Sequence, residues 1–189
     1  MEDKDTTSSK PFRRFTTREL SLIIILSSLG AAVSVPIGHA GNLLNSIPGV
    51  PFGSPQVLSG LHVIWLVLAA TLVRKTGAST VTGVLKGLIE LFLFSFHGIF
   101  VLFISAVAGM IVDAVFVIAR RPKTPFICLA AGLSSASNIA VLQLTVLPQL
   151  PSAVLAFMYS ISFISGAVFG GYVTKRVADI AGTLKGWGV

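Results

Sequence analysis

The lysines and arginines of this chain fall almost entirely into four clusters, and the stretches between the clusters are apolar. The first cluster is Lys4, Lys10, Arg13, Arg14 and Arg18. The second is Arg74 and Lys75, the third Arg120, Arg121 and Lys123, and the fourth Lys175, Arg176 and Lys185. Together they hold thirteen of the 14 cationic residues. A membrane helix needs roughly 20 consecutive apolar residues, and each interval between clusters has room for two such helices and an uncharged turn. In lipid, every backbone polar group must be satisfied within the spanning segments, so apolar runs of this length demand helices. The pattern predicts an all-α integral membrane protein, a bundle of about six transmembrane helices.

Turn signals divide the intervals. Helices are expected at 18–37, 56–73, 79–96, 99–119, 125–147 and 152–173, giving a transmembrane domain over 18–176 with tails at 1–17 and 177–189. Pro36 and Gly38 end the first helix, and a Gly/Pro/Asn-rich external loop with no charged side chain runs from His39 to Pro55. His97-Gly98 and Pro148–Pro151 make the other uncharged turns. Positively charged loops stay on the cytoplasmic side. Because the basic clusters alternate with uncharged turns, both termini are expected inside, in a multi-pass protein of the plasma membrane. Only 11% of residues are charged, against roughly 25% in soluble domains. The net charge of +7 is thus a topology signal and a contact with anionic lipid, with no basic face for nucleic acid. The lone Cys128 permits no intrachain disulfide and reads as a small buried hydrophobe. The first apolar run reads as a retained helix rather than a cleaved signal.

Ionisable side chains inside a span are costly and have a partner or a task. Lys86 and Glu90 on the third helix and Asp113 on the fourth are the three that stand out. At 1.5 Å per residue, Lys86 and Asp113 lie at similar depths, about 10 Å from the inner ends of their helices. This predicts a structural ion pair across that hairpin. Glu90 lies nearer the outer side, in a layer shared with His62, Trp65, Asn138, Gln143 and Tyr159. An acid, an imidazole, an amide and aromatic rings at one depth are the makings of a pocket for a flat ring that is cationic or donates hydrogen bonds. The expected binding residues are Glu90, Trp65, His62, Asn138 and Tyr159, with Asn42 contributed by the external loop. That loop is either an ordinary surface loop or a lid.

Small residues repeat on the first helix at Ser27, Ser28, Ala31 and Ala32, where helices can approach closely. This stripe serves either packing within the chain or docking of a membrane partner. No phosphate-cradling loop or metalloprotease motif is present, and His39, His62 and His97 are not spaced as metal ligands. No catalytic residue, cofactor or resident metal is therefore expected, and the chain is not read as an enzyme. An autonomous carrier that uses Lys86, Glu90 and Asp113 as an ion path stays open on these grounds.

Several stretches together resemble the substrate-binding (S) components of energy-coupling factor (ECF) vitamin transporters, and most closely the YkoE-type family. They are Gly41-Asn42-Leu43-Leu44, Gly60-Leu61-His62-Val63-Ile64-Trp65, Val73-Arg74-Lys75-Thr76-Gly77-Ala78 with Glu90 on the following helix, and Ile164-Ser165-Gly166-Ala167 with Gly170-Gly171. The resemblance implies a subunit that binds thiamine, its hydroxymethylpyrimidine precursor or another small metabolite. It also implies docking on a separate transmembrane coupling (T) protein that is driven by two ATP-binding subunits. The chain departs from the family pattern at Thr76, where a proline is usual. It departs again at Lys86, a buried cation that would partly neutralise Glu90 and so argues against a cationic ligand.

Overall fold

A computed structural model describes residues 15–49, 54–93, 98–120, 123–145 and 150–186, and the regular elements among them are all helical. They are α1 (Thr17–Asn45), a 3-10 turn (Ser54–Leu58), α2 (Ser59–Val73), α3 (Ala78–Phe92), α4 (Phe100–Ala119) and α5 (Thr124–Thr145). The last long helix comprises α6 (Ser152–Ser165), a π-helical stretch (Gly166–Val173) and α7 (Thr174–Gly186). Five spans among the described residues are long and apolar enough to cross a membrane, α2 counting together with the 3-10 turn before it as Pro55–Val73. The exception is α3, with 15 residues, about 22 Å of helix. It turns Ser79, Thr82, Gly83, Lys86, Gly87 and Glu90 inward, while Val84 and Leu88 are exposed. The whole bundle repeats this arrangement. Serines such as Ser27, Ser134 and Ser162 are buried, while Ile24, Phe103, Ile118 and Leu144 lie outside, where lipid rather than water is the solvent.

Two helix ends differ from the sequence expectation. The first helix does not stop at residue 37; it passes through Pro36 and continues to Asn45. A proline removes one backbone bond, whereas ending the helix there would strip several more groups of their partners close to the bilayer, which costs more. The predicted 39–55 loop therefore shrinks to the residues after Asn45, of which 50–53 lie outside the described residues. The last helix likewise runs on to Gly186, so the tail expected from 177 is largely helical. Lys175 and Arg176 mark a membrane surface but contain no stop signal. Lys175 pairs with Asp179 one turn on, and Arg176 donates to the Tyr172 hydroxyl from Nη2 at 2.7 Å. Phe96, His97 and Leu147 fall outside the described residues.

The turn between α2 and α3 explains its own sequence. Arg74 caps α2 in the left-handed region at φ 55°, and Gly77 precedes α3 at φ 88°. The second position suits only glycine at low cost, while Thr76 occupies an ordinary turn site. At the start of α1, Thr16 and Glu19 form a capping box, with the Thr16 N–H donating to Glu19 Oε2 at 2.7 Å. The same Glu19 oxygen accepts from Lys75 Nζ at 2.6 Å, tying the α2–α3 turn to the head of α1.

Close approach of α3 and α4 depends on glycine. A Cβ on Gly83 would run into the Ser105 carbonyl, one on Gly87 would meet Leu102 Cα at 2.9 Å, and one on Gly109 would meet the Ser79 carbonyl at 2.5 Å. These three pairings define one antiparallel register. Asp113 then lies level with the start of α3, and Lys86 faces the neighbourhood of Leu102, about three turns from Asp113. The expected Lys86–Asp113 pair is not formed. Instead the Asp113 carboxylate accepts from the Ser79 N–H at 3.2 Å, the Thr80 N–H at 2.7 Å and the Thr80 hydroxyl at 2.6 Å. It caps α3 from the neighbouring helix and satisfies donors that a helix start leaves orphaned. Equal depth measured from each helix end misled because α4 extends well beyond the start of α3.

Candidate functional site

Lys86 pairs along its own helix. Its Nζ donates to Glu90 Oε1 at 2.6 Å, and both side chains are almost fully buried, each residue 2% exposed. Glu90 Oε2 accepts from Ser105 Oγ on α4 at 3.4 Å. The (i, i+4) spacing puts both groups on the inner face of α3, where they border a cavity of about 350 Å³. The cavity lies at the end of the bundle where α1, α3 and α5 finish and α2, α4 and α6 begin. The second half of α1 supplies Ser34, Gly38, Gly41, Asn42 and Asn45. The 3-10 turn and α2 supply Gln56, Ser59, His62 and Leu66. From α4 come Ile104 and Ser105, from α5 Asn138 and Leu142, and from α6 Met158.

Below this cavity a serine cluster joins three helices. Ser135 Oγ donates to Ser59 Oγ at 2.8 Å, Ser59 Oγ and Ser162 Oγ are 3.0 Å apart, and Ser162 Oγ donates to the Ser135 carbonyl at 2.9 Å. The Gly60 N–H donates to Ser165 Oγ at 3.0 Å. Such bonds hold α2 against α5 and α6 where no apolar driving force between helices operates.

Three buried polar atoms on cavity-lining residues have no hydrogen-bond partner among the described residues: Ser34 Oγ, Asn42 Nδ2 and Asn138 Oδ1. Burying such a group unpaired costs about 1–3 kcal/mol. Three at one cavity, a donor, an acceptor and a hydroxyl that can serve as either, mark places where a ligand's polar atoms complete the bonding.

Four of the six binding residues expected from sequence meet at this cavity: Glu90, His62, Asn42 and Asn138. Two do not. Trp65 turns toward α1, where its ring packs on Gly30 and among Leu26, Leu68 and Leu72. Tyr159 donates to Gln143 Oε1 at 3.0 Å and lines a shallow outer depression with Phe163 and Ile164. Their helical phase turns both rings away from the cavity. Lys86, expected in a purely structural pair, joins the cavity wall. Ser34, Gln56, Ser59 and Ser105 were not anticipated. Ser34 belongs with Gly38, Gly41, Asn42 and Asn45 on a single face once α1 is continuous. Among the described residues no group of three His, Cys, Asp or Glu side chains could hold a metal ion, and His97 lies outside them.

The small-residue stripe of α1 divides into two faces. Ser27 and Ala31 are fully buried, and Ser27 Oγ donates to the Thr82 carbonyl of α3 at 3.1 Å. They pack within the chain and cannot touch a partner. Ser28 and Ala32 are exposed.

Comparison with known proteins agrees with this architecture. Residues 18–138 match the family model for the permease component of ABC-type cobalt transport systems. A Bacillus subtilis (strain 168) protein, YkoE, described as an HMP/thiamine permease protein, is 31% identical over 173 residues, covering 88% of this chain and 84% of its own length. The crystal structure of an S-component of an ECF transporter superposes with a TM-score of 0.83 at 27% identity, covering 91% of this chain and 88% of that one. With its multi-pass helical bundle, its interhelical cavity and these similarities, the chain belongs to the family of membrane permease components that includes YkoE, and is an S component of the energy-coupling-factor type.

Proposed function

We propose that the chain captures thiamine or its hydroxymethylpyrimidine precursor in the 350 Å³ cavity and delivers it to the cytoplasm. The observation that carries this reading is the unpaired set Ser34 Oγ, Asn42 Nδ2 and Asn138 Oδ1. An aminopyrimidine has an exocyclic amine that donates to Asn138 Oδ1 and ring nitrogens that accept from Asn42 Nδ2. A hydroxymethyl group suits Ser34. The volume is near the small end of the range of about 300–1,000 Å³ for ligand sites, as a one- or two-ring molecule requires. The name of the YkoE relative supports the same ligand class. Isothermal titration of the purified chain in nanodiscs tests this. Hydroxymethylpyrimidine or thiamine is expected to bind, and Asn138→Leu and Asn42→Leu each to weaken binding at least tenfold, about 1.4 kcal/mol. Unchanged affinity in both variants overturns this placement of the ligand.

The delivery step needs partners. In this reading the cavity opens to the outside, both termini are cytoplasmic, and the chain docks on a transmembrane coupling protein driven by two ATP-binding subunits. The alternation of basic and uncharged turns supports the orientation. The exposed Ser28–Ala32 face of α1 suits close docking of a helix. The ion-path alternative loses its inner member, because the Asp113 carboxylate is engaged by the Ser79 and Thr80 N–H groups and the Thr80 hydroxyl at the start of α3.

A further inference from the structure

The ion pair in the cavity wall has a consequence for ligand charge. A lone buried carboxylate attracts a cation, but Glu90 already holds one at 2.6 Å, and the two groups share the same lining. A ligand beside them meets a carboxylate and an ammonium at comparable distances, so attraction and repulsion nearly cancel. A permanently cationic ligand still surrenders its hydration on entering a buried site, and that loss is left uncompensated. Trp65 and Tyr159, whose ring faces could hold such a cation, are engaged with Gly30 and Gln143 away from the cavity. The unpaired cavity atoms belong to neutral amide and hydroxyl groups.

We propose that the Lys86–Glu90 pair makes this cavity select a neutral heteroaromatic ligand over its cationic counterpart, with Lys86 as the specificity-determining residue. The inference rests on the reading that the cavity takes aminopyrimidine ligands. Within that class it assigns the uncharged hydroxymethylpyrimidine as the preferred cargo, and thiamine, with its fixed thiazolium charge, as the disfavoured one.

Charge is isolated by comparing thiamine with its neutral isostere, in which a thiophene replaces the thiazolium, and hydroxymethylpyrimidine serves as the common fragment. Titration calorimetry on the whole chain in nanodiscs is expected to show the isostere binding at least tenfold more tightly than thiamine. Lys86→Met, which leaves Glu90 without its counter-ion, is expected to reverse that order. Lys86→Met/Glu90→Gln, which removes both charges, is expected to keep the preference for the neutral ligand. The double variant and the wild-type comparison carry the test if the single variant fails to fold, as judged by thermal unfolding. Thiamine binding as tightly as its isostere to the wild type, or more tightly, overturns the inference and leaves the functional reading standing. So does a Lys86→Met protein that folds yet keeps the wild-type order. Failure of all three ligands to bind the wild type overturns the functional reading and the inference with it.

Discussion

Lys86 and Glu90 are each 2% exposed and bonded at 2.6 Å, so the two charges are interdependent. Removing one partner of a buried pair leaves the other uncompensated and costs about 3 kcal/mol or more, while replacing both with neutral groups is often close to neutral. Lys86→Met is therefore expected to lower the unfolding temperature sharply, and Lys86→Met/Glu90→Gln to recover most of the loss, as followed by thermal unfolding in nanodiscs. Asp113→Asn combined with Lys86→Met is expected to give additive losses, because Asp113 bonds to Ser79 and Thr80 instead. At this scale sequence identified the groups but paired Lys86 with Asp113, whereas Lys86 bonds to Glu90. The rarity of charge inside a span flagged Lys86, Glu90 and Asp113. Whether Asp113 reaches Lys86 depends on the α3–α4 register, which is set by the contacts of Gly83, Gly87 and Gly109. Trp65 and Tyr159 show the same limit, since sequence spacing estimates depth along a helix but not the direction in which a side chain points.

α1 does more at the level of elements than its turn residues suggest. Because it continues through Pro36, Ser34, Gly38, Gly41, Asn42 and Asn45 share the face that closes the cavity. Their spacing of four, seven, eight and eleven residues from Ser34 follows the helical repeat. That pattern is legible in the sequence only to a reader who allows a proline inside a membrane helix. The α3–α4 pair depends on close backbone approach. Gly83→Leu would drive a side chain into the Ser105 carbonyl. It is expected to destabilise the protein by about 1–3 kcal/mol or more, and to weaken ligand binding because Glu90 and Ser105 sit on the two helices forced apart. Thermal unfolding and titration calorimetry on the same preparation check both effects.

The whole molecule differs from a soluble bundle mainly on its outside: hydroxyls and an ion pair share the interior with an apolar core that includes Ile23, Val63 and Ile127, while Ile24, Phe103, Ile118 and Leu144 lie outside. In the orientation proposed here, Ser8→Cys and Val189→Cys reporters in a Cys128→Ala background are expected to react with an impermeant maleimide only after the membrane is permeabilised. Bulky changes on the exposed α1 face, Ser28→Trp and Ala32→Trp, are expected to abolish co-purification with the coupling protein and ATPases while leaving ligand titrations unchanged. Ser27→Trp and Ala31→Trp are expected to destabilise the isolated chain, because both sites are buried against its own helices. Sequence by itself determined the membrane environment, the helical class and the approximate limits of most helices. Those follow from hydropathy, charge and turn chemistry, which act locally along the chain. Only the tertiary structure decided which polar residues meet. Helical phase, interhelical register and the passage of α1 through Pro36 arise from close packing between segments far apart in sequence. That packing sets Lys86, one of the 14 cationic residues and the exception to their clustering, together with its helix neighbour Glu90 in the wall of a cavity.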